Sequence, residues 1–352
     1  MSLLIHAPNV HHGGGRALLM ALLNAIPQRS GIALLDRRLE LDRSLPDHLE
    51  VLRFQPTLRG RLAAELSLAR RARTSDHVLC FGNLPPLLPV HSRVSVLVQN
   101  RYLVAPIALD ELAPKVRRRI LLERLWLRHG LRGAQVLVQT PSMASDVQRF
   151  LGVPARVVPF MQATAETVEG KANHSPHDFI YVASGEPHKN HRRLIEAWIE
   201  LARRDQFPSL CLTLDQQMNE PLLRWIDSQS RTHGLRVVNA GHVTGDAIGA
   251  LYASSGALIY PSLMESFGLP LLEAQAAGLP IVAAERDYVR DVVTPIECFD
   301  PLSPVSMARA VLRYLKTPEP TVTPLSAQAF VAQLLLAKDA QEEATQDHTA
   351  RG

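Results

Sequence analysis

The stretch from Pro261 to Pro280, PSLMESFGLPLLEAQAAGLP, contains the pattern on which the fold assignment depends. A short apolar run at residues 257–260 comes directly before it and predicts a buried strand. A Ser-Phe-Gly loop follows, and then a helical pattern at residues 271–277. Free N–H groups and the helix dipole both favour negative charge at a helix N-terminus. A strand, a glycine loop and a helix in this order therefore predict a site for an anion such as a phosphate.

Short apolar runs alternate with longer helical patterns on both sides of this stretch. Such alternation is typical of parallel sheets whose strands are covered by helices on both faces. The predicted strands lie at residues 3–6, 32–35, 77–81, 94–98, 135–139, 179–182, 210–214, 236–239, 257–260 and 280–283. The other predicted helices lie at residues 16–26, 59–73, 114–131, 142–151, 192–203, 221–233, 244–254 and 326–338.

These elements form two series, and a length of 352 residues suits two domains. We predict an α/β chain with two doubly wound, Rossmann-like domains that face a central cleft, because such sheets bind ligands at the carboxyl ends of their strands. The N-terminal domain is expected at residues 1–160 and the C-terminal domain at residues 178–338. A linker at residues 161–177 joins them, and a polar tail at residues 339–352 is expected to be disordered.

Two carboxylates lie in or beside the anion-binding stretch. We expect Glu273 in the first turn of the helix, where it can accept hydrogen bonds from hydroxyl groups such as those of a ribose. Glu265 lies in the loop before it. The simpler alternatives are a first-turn acid that only complements the helix dipole and a solvated loop acid.

A second stretch, YVASGEPHKNH at residues 181–191, leads from a predicted strand through a loop into a helix. It presents Lys189 just before that helix. A cation at this place can neutralise the charge that builds up on a departing diphosphate. A solvated surface lysine is the ordinary alternative.

Together the two stretches resemble the retaining, nucleotide-sugar-dependent glycosyltransferases of family 4, of the group 1 type used in bacterial surface polysaccharide synthesis. The match consists of the paired glutamates Glu265 and Glu273, with SFGLP between them and AGLP after them. The resemblance implies the two-domain GT-B fold. Many members also carry an arginine five or six positions before the lysine, where this chain has Ala183 and Ser184.

The resemblance also implies roles for individual residues. Glu265 and Lys189 would be catalytic, the first near the reacting carbon of the donor sugar and the second on the diphosphate. Glu273 would hold the nucleotide ribose. Further donor-binding positions are Ser184, Ser266, Phe267, Gly268 and Leu269. No cofactor or metal is expected, since GT-B enzymes generally work without a bound metal.

Two loops of the N-terminal half are expected to line the cleft. The glycine triplet at residues 13–15 follows the first strand, and we assign Gly14 and Gly15 to the cleft by the same resemblance. Without it, a glycine triplet is more often only a flexible turn. Many relatives carry a histidine at the end of a later strand, where this chain has Gln99 and Asn100. Gln99 can still form a hydrogen bond with a sugar hydroxyl.

The charge of the chain is divided between its two halves. Residues 1–160 carry 22 basic and 11 acidic side chains, and residues 161–352 carry 16 and 23. The predicted helix at residues 114–131 places several arginines on one arc with Leu121 and Leu125. This arc suits an interfacial helix on anionic lipid, although a solvated helix face fits equally well. The arginines assigned to membrane or acceptor contact are Arg117, Arg118, Arg124 and Arg128.

These features predict a retaining transferase that moves a hexose from a UDP- or GDP-sugar to a hydroxyl of a lipid-linked glycan of the O-antigen, lipopolysaccharide or capsule type. We expect it in the cytoplasm, peripheral on the inner face of the plasma membrane. The three cysteines are far apart and suit a reducing compartment. The alternatives are another GT-B enzyme, such as a nucleotide-sugar epimerase, and a basic nucleic-acid-binding protein. We expect no nucleic-acid partner, because the chain has few aromatic residues for base stacking.

Overall fold

The computed structural model describes residues 2–26, 31–41, 45–105, 107, 109, 112–131, 133–161, 176–243 and 246–318. These residues form two parallel sheets, one in each half of the chain, with helices packed against them. The prediction of two doubly wound α/β units is confirmed. Of the predicted linker at residues 161–177, residues 162–175 lie outside the described residues, and His177 already begins the first strand of the second sheet. The predicted helix at residues 326–338 and the tail at residues 339–352 also lie outside the described residues.

The first sheet has the strand order β3-β2-β1-β4-β5-β6-β7, and all its pairs are parallel. The strands are β1 (Leu3–Ala7), β2 (Gly31–Asp36), β3 (Leu49–Phe54), β4 (His77–Cys80), β5 (Arg93–Leu97), β6 (Gln135–Val138) and β7 (Ala155–Val157). The helices are α1 (Gly13–Asn24), α2 (Leu58–Arg71), α3 (Pro114–Gly130) and α4 (Pro141–Leu151), with a 3-10 turn at Arg101–Leu103. The order changes direction between β1 and β4, and this is where a doubly wound sheet opens its ligand crevice.

The second sheet repeats the pattern with the strand order β10-β9-β8-β11-β12-β13. The strands are β8 (His177–Tyr181), β9 (Leu210–Leu212), β10 (Val237–Asn239), β11 (Ser255–Tyr260), β12 (Ile281–Ala284) and β13 (Glu297–Phe299). The helices are α5 (His191–Ala202), α6 (Glu220–His233), α7 (Asp246–Ala253), α8 (Leu269–Ala276), α9 (Asp287–Arg290) and α10 (Pro304–Tyr314), with a 3-10 turn at Pro187–Lys189. The corresponding crevice lies between β8 and β11.

Burial on both faces explains why the central strands read as continuous apolar runs. In β1, Leu4 packs into one core layer and Ile5 into another on the opposite face of the sheet. Ile120 and Leu127 of α3 belong to the first layer, as the helical periodicity predicts. The second sheet and its helices share one large core that includes Trp198 of α5.

The strands β3, β7 and β13 are absent from the predicted elements, and each lies at the edge of a sheet. An edge strand contacts only one neighbour, so its sequence can alternate between apolar and charged residues. In β3 the sequence LEVLRF includes the exposed residues Glu50 and Arg53. Such short, mixed runs give a weak pattern compared with the buried central strands.

Candidate active site

The two residues predicted to be catalytic lie on either side of the crevice in the second sheet. Lys189 ends the 3-10 turn that follows β8, and Glu265 lies in the loop that follows β11. These strands are neighbours at the point where the strand order reverses. Their carboxyl ends therefore bring together two residues that are 76 positions apart in the sequence.

Lys189 and Glu265 form an ion pair, with 2.7 Å between Lys189 Nζ and Glu265 Oε1. Their side chains are only 16% and 12% exposed, so solvent screens the pair less than a surface pair. The same oxygen also accepts hydrogen bonds from Tyr260 Oη at 3.0 Å and Ser262 Oγ at 2.7 Å. No hydrogen bond from the described residues reaches the other oxygen, Oε2. One side of the carboxylate is thus fully occupied, and the other is available to a ligand.

Buried tyrosines fix the backbone around this pair. Tyr181 Oη donates to the carbonyl oxygen of Lys189, and Tyr288 Oη donates to that of Ser262, both at 2.7 Å. Burial and the nearby Glu265 charge raise the pKa of Tyr181, Tyr260 and Tyr288 well above the usual 10, so each remains a neutral donor. These tyrosines were not predicted from the sequence, although Tyr181 and Tyr260 each lie at the end of an apolar run at the crevice.

The helix after the Glu265 loop begins earlier than predicted. Gly268 has φ of +79°, a conformation that a glycine adopts without strain, and α8 begins at Leu269 rather than at residue 271. Pro270 fits the first turn because it needs no N–H partner there. Glu273 consequently lies in the second turn, so its prediction as a first-turn residue is wrong. Its Oε2 accepts a hydrogen bond from Tyr252 at 3.0 Å, and burial raises its pKa.

The other predicted donor-binding residues line the same loop. Ser266, Gly268 and Leu269 follow Glu265 directly, whereas the Phe267 side chain is buried and leaves only its backbone for a ligand. The hydroxyl of Ser184 donates to the carboxylate of Glu186 instead of pointing freely into the crevice. Burial opposes ionisation of Glu186, but this hydrogen bond and the Lys189 charge hold its pKa below the usual value.

The first domain supplies the opposite wall of the cleft. A Cβ added to Gly14 would lie 3.4 Å from Cδ1 of Leu269, so the start of α1 approaches the start of α8 closely. A Cβ on Gly15 would lie 3.7 Å from Oε1 of Gln99. The structure therefore brings the glycine loop, Gln99 and the start of α8 together. Asn100 differs, because its side chain accepts a hydrogen bond from Tyr102 N and caps the following turn.

Asn83 is a structural determinant of this wall that the sequence analysis missed. Its Oδ1 accepts hydrogen bonds from the amides of Gln99 and Asn100, at 2.6 and 2.8 Å. Its φ of +70° is unusual for a residue with a side chain, and asparagine tolerates it better than most. The dipeptide Gly82-Asn83 after a strand was the available signal in the sequence.

The exposure of the side chains on α3 agrees with the predicted amphipathic pattern, except at one of the four arginines assigned to membrane or acceptor contact. Arg117, Arg118 and Arg128 are exposed, as are Leu121 and Leu125.

Arg124 is turned inward, so its assignment to the exposed basic face is wrong. Its Nε donates to the carbonyl oxygen of Tyr102 at 2.8 Å, and its Nη2 to that of Ala105 at 3.0 Å. It ties the helix to the turn at residues 101–105.

Within the described ranges, no group of three or more His, Cys, Asp or Glu side chains is arranged to hold a metal ion. None of the helices described is both long and apolar enough to cross a bilayer.

Residues 164–329 match the family model described as glycosyl transferases group 1. O-antigen chain mannosyltransferase B from Escherichia coli is 28% identical over 142 residues, which are 40% of this chain and 35% of that protein. A D-inositol 3-phosphate glycosyltransferase from Salinispora tropica is 45% identical over 76 residues, which are 20% and 16%. The aligned parts thus span about a third or less of these curated relatives.

Solved structures match over a larger share of the chain. HepE from Anabaena, in complex with UDP-glucose, gives a TM-score of 0.66 at 16% identity, with 90% of both chains covered. WaaG, a glycosyltransferase involved in lipopolysaccharide biosynthesis, gives 0.60 at 16% identity with the same coverage. These similarities confirm the predicted GT-B fold.

Proposed function

We propose that this chain, whose residues 164–329 match the family model of group 1 glycosyl transferases, is a retaining glycosyltransferase. In this proposal it moves a hexose from a nucleotide-sugar to a hydroxyl of a lipid-linked glycan. The observation that carries the proposal is the Lys189–Glu265 pair in the crevice, opposite the glycine loop of the first domain. One relative is named as an O-antigen chain mannosyltransferase and another as a serotype-specific mannosyltransferase, which supports a surface glycan product. Structural neighbours bound to UDP and UDP-glucose support a nucleotide-sugar donor.

Lys189 is suited to hold the diphosphate of the donor. An ammonium group has three donors, and Glu265 is the partner of one of them. The other two can reach phosphate oxygens without breaking the ion pair. As the bond between the anomeric carbon and the diphosphate oxygen breaks, negative charge grows on that oxygen, and a fixed cation stabilises it.

Glu265 is suited to contact the sugar. Its Oε1 is fixed by Lys189, Tyr260 and Ser262, so its Oε2 has a defined direction at the crevice. In the proposed reaction the acceptor hydroxyl forms the new carbon–oxygen bond on the face that the diphosphate leaves. The hydroxyl proton passes to the departing phosphate oxygen, which balances the step and retains the configuration.

The acceptor side of the proposal rests on one face of the first domain. Seven of the thirteen large apolar side chains that are exposed in the described residues lie on α2, on α3 or in the loop after β4. We call this set the leucine face; its members are Leu58, Leu62, Leu66, Leu87, Leu121, Leu122 and Leu125. A concentration of this kind marks an interaction surface rather than ordinary scattered exposure.

Three contacts hold the parts of the leucine face together. The guanidinium of Arg61 on α2 lies 5.2 Å from the centre of the Trp126 ring on α3. Leu87 N donates to the buried carboxylate of Glu65 on α2 at 2.9 Å. A Cβ on Gly130 of α3 would collide with Pro85, so the loop also packs on α3. The two helices and the loop are therefore neighbours in the first domain.

We assign the leucine face to the anionic inner surface of the plasma membrane. The exposed arginines Arg117, Arg118 and Arg128 lie beside the leucines on α3, and each basic residue near an anionic bilayer contributes roughly 1 kcal/mol. The excess of basic over acidic residues in the first 160 residues also favours binding to an anionic membrane. A membrane-borne acceptor would meet the enzyme on this side.

Thermal unfolding in the presence of donors tests the proposed chemistry. A ligand at about 100 times its Kd stabilises the folded state by roughly 2.7 kcal/mol, which raises the melting temperature by several degrees. UDP-glucose, GDP-mannose and ADP-glucose should be compared, and we expect one to raise the melting temperature. Lys189→Ala should abolish the rise. Lys316→Ala, which removes an exposed lysine at the end of α10, is the matched control.

Transfer assays with the stabilising donor complete the test. Glu265→Gln and Lys189→Ala should remove transfer while the unliganded protein still unfolds cooperatively, and the product linkage should keep the anomeric configuration of the donor. Absence of any donor-dependent stabilisation, or full transfer by both variants, would reject the assignment.

A further inference from the structure

We propose that Arg101 of the first domain is a positioning residue for Glu265, and that it makes the geometry of the Glu265 loop depend on contact between the two domains. Only the catalytic meaning of this inference rests on the proposed function, because the contact itself is independent of any substrate. Arg101 was not identified as a functional residue from the sequence. It lies 164 positions before Glu265, and only the fold brings the two together.

Arg101 is held rigidly within its own domain. Its Nε donates to Asp146 Oδ2 of α4 at 2.8 Å, and the two side chains are 18% and 15% exposed. The backbone just before it is fixed by Asn83, whose Oδ1 accepts hydrogen bonds from the amides of Gln99 and Asn100. Asn100 caps the turn that Arg101 begins. The guanidinium therefore has a well-defined place at the edge of the first domain.

From this place Arg101 reaches across the cleft to the loop. Its Nη1 lies 3.4 Å from the carbonyl oxygen of Glu265, to which it donates a hydrogen bond. Thr140 Oγ1 at the start of α4 donates to the next carbonyl, that of Ser266, at 3.2 Å. Two consecutive carbonyl groups of the loop are thus held by the first domain.

The side chain of Glu265 is held by the second domain, through Lys189, Tyr260 and Ser262. Its backbone and its carboxylate are therefore positioned by different domains. Asp291 Oδ2 accepts a hydrogen bond from Ser142 N at 2.9 Å and joins the domains beside this contact. When the domains separate, the loop loses both carbonyl contacts while the carboxylate keeps its three donors. The carboxylate is then correctly placed only in the closed arrangement.

Hydrogen exchange of the full chain tests the positioning without any donor. The amide of Leu263 is hydrogen-bonded to the carbonyl oxygen of His188 at 2.8 Å and provides a protected reporter in the loop. We expect Arg101→Ala to accelerate exchange in the peptide that spans residues 262–268 by about threefold to tenfold, since that loop opens more often. Arg101→Lys keeps the charge and one donor direction, so it should give an intermediate rate.

Two control variants separate the contact from general loosening. Arg93→Ala removes an exposed arginine at the other end of β5 and should leave the loop peptide unchanged. Arg124→Ala loosens the turn at residues 101–105 from the opposite side, without touching the second domain in the structure. Equal acceleration by Arg124→Ala and Arg101→Ala would assign the effect to the turn and overturn the proposal. An unchanged loop in Arg101→Ala would also overturn it.

Kinetics with a donor found by thermal unfolding then test the catalytic consequence. Misplacement of a catalytic group by about 1 Å can cost on the order of 100-fold in rate. We expect Arg101→Ala to lower kcat by about tenfold to 100-fold with a donor KM within about threefold, because Lys189 remains in place. A changed KM with unchanged kcat would contradict a positioning role. If no donor binds but loop exchange still responds to Arg101→Ala, the positioning stands and the proposed chemistry fails.

Discussion

At Glu265 the two carboxylate oxygens have different surroundings. Oε1 accepts three hydrogen bonds, whereas Oε2 accepts none from the described residues. A carboxylate held in this way cannot rotate without losing its donors, so the free oxygen keeps its direction. The resemblance to known sequence motifs identified Glu265 but could not identify Tyr260 or Ser262 as its supports, because hydrogen-bond partners follow from the fold.

Loss of one hydrogen bond to Glu265 should lower the rate of transfer and should have a smaller effect on the affinity for the donor. Tyr260→Phe removes one hydroxyl that donates to Glu265, and hydrogen bonds to charged groups contribute about 1.5–3 kcal/mol. We expect kcat to fall at least about tenfold while donor KM changes little. Tyr314→Phe is the matched control, since it removes a hydroxyl that donates to the carbonyl oxygen of Gly256 at the far end of β11. Equal losses in both variants would argue against a specific role.

The ionised carboxylate of Glu273 should lower the free energy of unfolding of the unliganded protein at neutral pH. Burial raises its pKa above the ordinary 4.5, so between the two values the folded state binds more protons than the unfolded state. Stability therefore falls as the pH rises through this window. Glu273→Gln should raise the melting temperature at pH 7, and the gain should vanish near pH 4.

Thermal unfolding from pH 4 to 8 measures this effect, and donor-induced stabilisation provides the second readout. If Glu273 binds the donor ribose, Glu273→Gln should also reduce the stabilisation by the donor. A gain in melting temperature that does not change with pH would contradict this link between the protonation of Glu273 and stability.

At the scale of elements, the sequence was most informative about buried strands and amphipathic helices. The apolar runs of β1 and β11 and the buried stripe of α3 follow directly from burial on both faces or on one face. The edge strands β3, β7 and β13 were missed for the converse reason. The start of α8 was misplaced because Gly268 begins the helix from a left-handed conformation that sequence periodicity does not reveal.

Asn83 shows how a single side chain can determine the position of a loop. Asn83→Ala leaves the amides of Gln99 and Asn100 without their acceptor, and each lost hydrogen bond at these half-buried residues costs about 0.5–1.5 kcal/mol. It also places alanine at a positive φ. We expect the melting temperature to fall by several degrees.

Two further variants separate the two causes. Asn83→Asp keeps the acceptor oxygen and should lose much less stability, whereas Asn83→Gly relieves the backbone but removes the acceptor. Equal melting temperatures for the glycine variant and the wild type would show that the hydrogen bonds contribute little.

At the scale of the whole molecule, the uneven charge and the leucine face occur in the same domain. The second domain contains the proposed donor-binding residues although the second half of the chain has a negative net charge, so in the proposed function a diphosphate would depend on local groups such as Lys189. The first domain is basic and presents exposed leucines on two helices and a loop. Helical periodicity predicted Leu121 and Leu125 of α3, but the addition of Leu122, of α2 and of Leu87 required the tertiary structure. A peripheral membrane enzyme would orient this domain towards the bilayer.

Vesicle flotation tests this orientation. The full chain should float with vesicles that contain anionic lipid but not with purely zwitterionic vesicles, and binding should weaken as salt screens the arginines. Leu122→Glu combined with Leu125→Glu should abolish flotation, because both apolar contact and attraction are lost. Leu302→Glu introduces the same charge at an exposed leucine of the second domain and should have no effect. If the wild type is instead a dimer that the double substitution dissociates, the leucine face binds a second copy of the chain rather than lipid.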